Sequence, residues 1–206
     1  MELGRPLSTI TPTLDGDVLA VLANHDVTFT TGQLSRVLPQ YSEAGIRKVL
    51  RRLVGQGVVL ADRIGNAFAY RLNRDHLAAE HIIGLAQLQK TFLERVEDLL
   101  ESWGPAKPQY AAIFGSVARG SMTMDSDVDL LLVKPRDGAE DLWEARVGEL
   151  TADVTRWVGN DVRVLEFTAA EIAARGRDEP VLKDVLAEGL TVAGSRAWLV
   201  KQLRKG

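Results

Sequence analysis

The chain has 206 residues, of which 46% are hydrophobic and 26% are charged, and it carries a net charge of −3. These values are typical of a globular protein with one large domain or two small ones. The absence of cysteine excludes disulfides, thiolate zinc sites and a cysteine nucleophile, and it favours a reducing compartment. Because the sequence has neither a basic and then apolar N-terminal segment nor an apolar run of about 18 residues, we expect a cytoplasmic protein without a membrane span.

Charge is spread unevenly along the chain. Residues 1–76 contain 9 Lys and Arg against 7 Asp and Glu, a balance of +2, so the remainder carries −5. A small asymmetry of this kind is a weak indication that the two halves have different tasks.

The first third of the chain predicts short helices followed by a hairpin. Apolar spacing and capping residues predict a helix over 14–24, a brief strand over 28–30, a helix over 33–38 with Thr31 as its N-cap, and a helix over 43–56 capped by Ser42. Two β-prone runs between residues 58 and 72 flank Gly65-Asn66, a pair that is typical of a hairpin turn.

The helix predicted over residues 43–56 has one apolar face and one basic face, and the basic face carries Arg47, Lys48, Arg51 and Arg52. The order of helix, short helix, basic helix and hairpin resembles the bacterial winged helix-turn-helix DNA-binding domains, over about residues 14–73. That resemblance implies that the basic helix enters the DNA major groove and that Arg63, near the wing tip, contacts the DNA backbone or minor groove. Two alternatives stay open: a basic face that is merely solvated, and a protein-binding module.

A long amphipathic helix is predicted over residues 76–103, where apolar residues recur on a single stripe. We interpret it as a connector that packs against its own domain or a second subunit. Gly104 and Pro105 end it.

The stretch over residues 110–133 carries the chemistry. An apolar run ends at Gly115-Ser116, ten residues follow, and Asp127 and Asp129 then open a second apolar run. Residues i and i+2 of a strand point to the same face, so the two carboxylates would lie side by side and repel each other unless a cation lies between them. Mg²⁺ takes one or two carboxylates together with substrate phosphates, and backbone amides at Gly115 and the hydroxyl of Ser116 suit a polyphosphate.

The remaining residues predict alternating helices and strands. We expect a turn at Asp137-Gly138, helices over 139–158, 169–175, 178–188 and 195–203, and strands over 162–167 and 190–193.

The Gly-Ser, ten residues, Asp-Val-Asp pattern closely resembles the nucleotidyltransferase superfamily of the DNA polymerase β type, especially its small "minimal" members, over residues 108–194. The resemblance implies an α+β domain with a mixed sheet. It also implies that Gly115 and Ser116 hold the triphosphate of an NTP and that Asp127 and Asp129 bind Mg²⁺, for which Mn²⁺ is a substitute. The reaction would move NMP from the NTP to a hydroxyl and release pyrophosphate. Arg119 either contacts a phosphate or points to solvent.

The family usually has a third carboxylate on a neighbouring strand, in a Val-Asp pair, where this chain has Val162-Arg163. We choose Glu166, on the same predicted strand, as the substitute catalytic carboxylate. The alternative is that Glu166 is an exposed strand residue and that the site has two carboxylates only.

Together these patterns predict a winged helix-turn-helix domain over residues 1–75, a linker helix over 76–105 and a nucleotidyltransferase domain over 106–206. The first hypothesis is a Mg²⁺-dependent enzyme that modifies a protein or RNA acceptor, is fused to a DNA-binding domain, and is related to toxin–antitoxin nucleotidyltransferases. The second is a transcriptional regulator whose degenerate transferase domain senses a nucleotide. Expected partners are NTP, DNA and the acceptor but no membrane, and a homodimer is left open.

Overall fold

The computed structural model describes residues 1–136, 140–176 and 178–204. The chain divides into two compact units. The N-terminal unit comprises Arg5–Gln89, and the C-terminal unit comprises Met1–Gly4 together with Lys90–Gly206. This division differs from the predicted boundaries at residues 75 and 105, because the predicted linker helix does not form a separate body.

The N-terminal unit combines four α-helices and a short 3₁₀ helix (Pro6–Thr9) with a three-stranded antiparallel sheet in the strand order β1-β3-β2. Its elements are α1 (Leu14–Asn24), β1 (Phe29–Thr30), α2 (Thr31–Val37), α3 (Glu43–Gly55), β2 (Val59–Ile64), β3 (Ala67–Leu72) and α4 (Ala79–Ala86). A buried core joins the apolar faces of these helices to the sheet, with Leu22, Leu34, Ile46 and Leu50 fully buried.

Local capping sets the ends of α2 and α3. The Ser42 hydroxyl accepts a hydrogen bond from the amide of Gly45, as an N-cap residue should, so the predicted start of α3 is confirmed. The N-cap of α2 is Thr30 rather than the predicted Thr31. Thr30 and Gln33, three residues apart, exchange the two reciprocal hydrogen bonds of a capping box. Thr31 is therefore the first residue of the helix and not its N-cap.

The single helix predicted over residues 76–103 is wrong. The structure has α4 and then α5 (Leu88–Glu101), separated by a turn at Gln87. Ala79 and Ala86 belong to the core of the N-terminal unit, whereas the buried residues of α5 belong to the core of the C-terminal unit, namely Phe92, Val96 and Leu100. The apolar stripe therefore serves two different cores.

The C-terminal unit is built on a mixed four-stranded sheet in the order β6-β5-β4-β7, in which β5 and β6 are parallel and the other neighbours are antiparallel. After α5 its elements are β4 (Tyr110–Phe114), the single turn α6 (Gly115–Ala118), β5 (Val128–Val133), α7 (Glu140–Val158), β6 (Val162–Phe167), α8 (Ala169–Arg175), α9 (Pro180–Glu188), β7 (Leu190–Ala193) and α10 (Arg196–Leu203). The predicted α+β class with a mixed sheet is confirmed. The turn predicted at Asp137-Gly138 lies outside the described residues.

Helices cover both faces of this sheet, and strand alternation assigns each residue to one of them. On the α5/α7 face, residues such as Ile113, Leu130 and Val164 pack in one core cluster with residues of α5 and α7. On the α8–α10 face, Leu131 and Leu165 pack with Ile172, Leu182 and Leu199 in a second cluster. Because successive strand residues alternate, this assignment decides which charged side chains of β5 and β6 lie together.

None of the helices within the described residues is long and apolar enough to cross a lipid bilayer.

Candidate active site

The corner between β4 and β5 requires a glycine. β4 ends at Phe114, whose partner on β5 is Asp129, and the backbone then turns sharply at Gly115 with φ +67°. Any other residue would be strained in that left-handed conformation. A Cβ atom on Gly115 would also overlap the carboxylate of Asp129, so the backbone lies directly against this carboxylate.

Two carboxylates are placed at this corner. Asp127 immediately precedes β5, Asp129 lies in it, and their side chains are half-buried. Burial raises the pKa of Asp129 above its ordinary value, and the charge of Asp127 adds to the rise, whereas the charges of Arg163 and Arg119 oppose it. The direction of this shift means that Asp129 has lost hydration and that Asp127 repels its charge, two penalties that a bound cation relieves.

The loop before Asp127 is held by a residue that the sequence patterns did not single out. Asn160 is only 3% exposed, and its Nδ2 donates to the carbonyl oxygens of Thr123, Met124 and Ser126, at 3.3, 2.9 and 2.9 Å. Asp161, which follows Asn160, accepts a hydrogen bond at its carbonyl from the amide of Val128, at 2.8 Å. The turn between α7 and β6 therefore fixes the backbone on both sides of Asp127.

Arg163 is the strand residue beside Asp129. The two are register partners in the parallel β5–β6 pair, and alternation places both on the α8–α10 face, in phase with Leu131 and Leu165. Nη2 of Arg163 lies 3.3 Å from Oδ2 of Asp127. A guanidinium thus stands at the position where the resemblance predicts a third carboxylate.

Arg119 follows α6 directly and forms an ion pair with Glu188 at the end of α9, and its side chain is 51% exposed. Its charge acts on Asp129, so it belongs to the same corner. Neither of the two predicted roles, phosphate contact or a side chain in solvent, is decided by this pairing.

The structure does not bring Glu166 to the aspartates. Glu166 pairs with Leu132 in the β5–β6 register and lies in phase with Val164, so it is on the α5/α7 face. There its carboxylate accepts a hydrogen bond from Nε1 of Trp143 on α7 and lies 3.5 Å from Nζ of Lys134. Since Asp129 and Arg163 project from the other face, the choice of Glu166 as the third carboxylate is corrected here.

The predicted DNA-contact residues all lie in the N-terminal unit and are exposed. On α3, Arg47 forms an ion pair with Glu43 four residues earlier, and Arg52 forms one with Asp15 of α1. Within the described part of the chain, Lys48 and Arg51 have no ion-pair partner. At the β2–β3 turn, Nε of Arg63 donates to the carbonyl of Gly65 at 3.2 Å.

The donor set at the β4–β5 corner suits a hard divalent ion. Over residues 1–136, 140–176 and 178–204, no group of three or more His, Cys, Asp or Glu side chains is placed to hold a metal by itself. Mg²⁺ characteristically takes one or two carboxylates and completes its shell with water and substrate phosphates, so Asp127 and Asp129 fit such an ion. They do not form an all-protein metal cage.

A comparison with protein families finds that residues 90–174 match the model described as nucleotidyltransferase domain. This segment of the chain is therefore similar to nucleotidyltransferase domains. The match includes the Gly115-Ser116 turn, both aspartates and strand β6, and it begins at the boundary between the two units. It supports the predicted kind of domain for this segment and does not extend to the predicted winged helix.

Solved structures similar to this chain include a toxin–antitoxin with AMP-PNP, at 19% identity over 54% of this chain and 84% of the other, with a TM-score of 0.38. Another is the toxin–antitoxin MntA–HepT, at 19% identity over 56% and 84%, with a TM-score of 0.35. A third is the tri-AMPylated Shewanella oneidensis HEPN toxin in complex with MNT antitoxin, at 18% identity over 56% and 84%, with a TM-score of 0.36. TM-scores this low carry no argument. The comparison with curated proteins finds no match.

Proposed function

We propose that the C-terminal unit transfers NMP from an NTP to a hydroxyl of a protein or RNA acceptor, with Mg²⁺ bound to Asp127 and Asp129. The observation that carries this proposal is the contact between the Gly115 backbone and the Asp129 carboxylate. It supports the proposal because the Gly115-Ser116 turn, which suits phosphates, and the two candidate metal ligands meet at one corner of the sheet. The family match over residues 90–174 supports the same reaction.

Each group at the corner has a task in this proposal. The absence of a side chain at Gly115 lets the triphosphate approach the backbone, and the Ser116 hydroxyl and amide are donors to it. The bound metal supplies charge neutralisation at the reacting phosphate. Asp127 and Asp129 hold the metal in a fixed position, so the remaining catalytic contribution is electrostatic and positional.

The enzyme proposal is tested by following label from each α-labelled NTP in the presence of Mg²⁺ and cell extract. The wild-type chain is expected to label an acceptor, whereas the Asp127→Asn/Asp129→Asn variant is expected to label none. Matched thermal unfolding of the two proteins controls for folding. Label transfer that persists in the double variant would refute the proposed site.

The alternative is a regulator whose transferase domain binds a nucleotide without turning it over. The observation that favours it is the guanidinium of Arg163 next to both aspartates, where a third carboxylate would otherwise complete the site. Nucleotide binding that depends on Asp127 and Asp129, with no label transfer to any acceptor, would decide for the sensor. Either function is proposed for the cytoplasm, consistent with the cysteine-free sequence, and the toxin–antitoxin connection is part of the enzyme proposal.

We also propose that the N-terminal unit binds DNA as a winged helix, with α3 in the major groove. The order α2, α3 and the β2–β3 hairpin supports it, as does the exposed basic face of α3. Among the basic residues of that face, Lys48 and Arg51 are available for phosphate or base contacts. Arg47 and Arg52 are already paired with carboxylates.

This distinction gives the DNA test a matched control. The Lys48→Ala/Arg51→Ala variant is expected to weaken DNA binding and to reduce the salt slope of the binding constant by about one per lost phosphate contact. Arg52→Ala removes the same kind of charge from the same helix but from a side chain held by Asp15, so a smaller change is expected. Equal slopes for all three proteins would contradict the assignment of α3.

A further inference from the structure

A cationic side chain, that of Arg163, already lies beside the carboxylates of Asp127 and Asp129. Arg163 is the register partner of Asp129, and its guanidinium forms an ion pair with Asp127, at 3.3 Å. The charge of Arg163 also acts on Asp129, opposing the effects of burial and of Asp127 on its pKa. One side chain on a neighbouring strand therefore neutralises part of both charges to which a divalent ion would bind.

We propose that Arg163 and the divalent ion compete for Asp127, and that the guanidinium displaced from Asp127 binds the polyphosphate of the nucleotide. The inference rests on the proposed function, because it concerns the same metal and nucleotide site. The exchange makes the binding of metal and of nucleotide depend on each other. The metal alone binds weakly because it competes with Arg163, and the nucleotide supplies phosphates with which the displaced Arg163 pairs.

The physical properties of Arg163 suit such an exchange. Its side chain is 65% exposed and that of Asp127 is 40% exposed, and an ion pair this open to water is weak enough to be replaced. Arginine keeps its charge at all physiological pH values, so it leaves Asp127 by moving and not by losing a proton. Its planar donors are suited to two-point contact with phosphate oxygens.

Arg119 makes a different arrangement at the same corner. Its partner is Glu188 of α9, which is not one of the proposed metal ligands, and the Glu188 side chain is only 29% exposed. Metal binding at Asp127 and Asp129 does not require this pair to break. The competition is therefore specific to Arg163.

The test measures metal and nucleotide separately in the Arg163→Gln variant of the full chain. A single and a double positive charge about 6 Å apart in water repel each other enough to change a dissociation constant by about tenfold. Mn²⁺ binding without nucleotide, followed by electron paramagnetic resonance, is therefore expected to become about tenfold tighter. Binding of NTP in EDTA, followed by calorimetry, is expected to become weaker. An Arg163→Lys variant should lie between Arg163→Gln and the wild type in both measurements.

The matched control is Arg156→Gln. Arg156 forms an ion pair with Asp153 on α7 at 2.8 Å and is 70% exposed, so this variant removes the same charge and a comparable pair without changing the corner. It is expected to leave both affinities unchanged. An Arg163→Gln protein that unfolds like the wild type but binds Mn²⁺ no more tightly would overturn the competition, and so would a tightening of equal size in Arg156→Gln.

Failure of the proposed function has a separate signature. If the Asp127→Asn/Asp129→Asn variant binds Mn²⁺ as the wild type does, the metal site itself is wrong. If that variant loses Mn²⁺ and Arg163→Gln leaves both affinities unchanged, the metal site stands and the role of Arg163 is refuted.

Discussion

Replacing Gly115 by alanine tests the geometry of the corner more sharply than replacing either aspartate does. Two penalties apply at this position. The backbone angle φ of +67° lies in the left-handed region, where an L-residue costs about 1–2 kcal/mol relative to glycine. The new Cβ atom would in addition overlap Oδ2 of Asp129, so the carboxylate must rotate away, and an off-rotamer side chain costs about 0.5–1.5 kcal/mol.

The chain contains a control that carries only the first penalty. Gly120 has nearly the same φ, +66°, but a Cβ atom there would meet no atom within 4 Å. We therefore expect Gly120→Ala to lower the free energy of unfolding by about 1–2 kcal/mol. Gly115→Ala should lower it by about 1.5–3.5 kcal/mol, since the displacement of the carboxylate adds to the backbone strain. The difference between the two variants isolates the contact with Asp129.

Urea denaturation of the two single variants, and of both in an Asp129→Ala background, measures that difference. Removing the carboxylate removes the overlapping atom, so the excess penalty at Gly115 should disappear in that background while the penalty at Gly120 stays. Mn²⁺ affinity should fall in Gly115→Ala and remain unchanged in Gly120→Ala. Equal destabilisation by the two substitutions, or an excess that persists without Asp129, would refute the close approach.

Three further predictions concern the same unit. The pKa of Asp129 in the folded state is raised above its ordinary value of 3.8, so the folded state binds this proton more tightly than the unfolded chain does. Protonated Asp129 therefore stabilises the fold below pH 3.8, and this contribution is lost as the pH rises through the folded pKa. Urea denaturation in EDTA should therefore find Asp129→Asn more stable than the wild type at neutral pH, and the advantage should vanish toward pH 3.8. Asn160→Ala should lower the free energy of unfolding by about 2–4 kcal/mol and weaken Mn²⁺ binding, because three carbonyls lose their donor and the loop before Asp127 is released; normal Mn²⁺ affinity would show that the loop is held otherwise. Glu166→Gln keeps an acceptor for Trp143 and should leave label transfer unchanged. Loss of label transfer in this variant would show that Glu166 takes part in the reaction.

Features fixed by neighbouring residues were predictable from the sequence. Ser42 before the basic helix, Gly65-Asn66 between two β-prone runs, and the Gly-Ser turn ten residues before Asp127 each specify local geometry through contacts within a few residues. The resemblance to nucleotidyltransferases rested on the last of these, because the spacing of the turn and the carboxylates is unusual by chance. Its sheet then brought Asp129 and the Gly115 backbone into contact.

Features that depend on distant parts of the chain were not predictable. Asn160 is separated by 34 to 37 residues from the carbonyls that it holds, and an asparagine before a strand gives no signal of that role. The stripe over α4 and α5 has one period although it enters two cores, so periodicity could not reveal the break at Gln87. Contacts between residues far apart in the sequence therefore determine these two features.

The position of Glu166 was a different kind of error. Strand alternation already put Glu166 opposite Arg163, but only the parallel register of β5 and β6 shows that Arg163, and not Glu166, is the neighbour of Asp129. Register is a tertiary property. The sequence of a single strand shows which residues share a face, but it does not show which face lies beside the aspartates.

The missing third carboxylate favours the sensor only through turnover, because it does not weaken the attraction of the site for a nucleotide. A site with three carboxylates and two divalent ions carries one net positive charge before the nucleotide arrives. A site with Asp127, Asp129, one divalent ion and the guanidinium of Arg163 carries the same net charge, so its attraction for a polyphosphate is comparable. What the arginine does not supply is a second metal to activate the acceptor hydroxyl, and that difference affects turnover rather than nucleotide binding. Label transfer, and not the number of carboxylates, therefore separates the two functions.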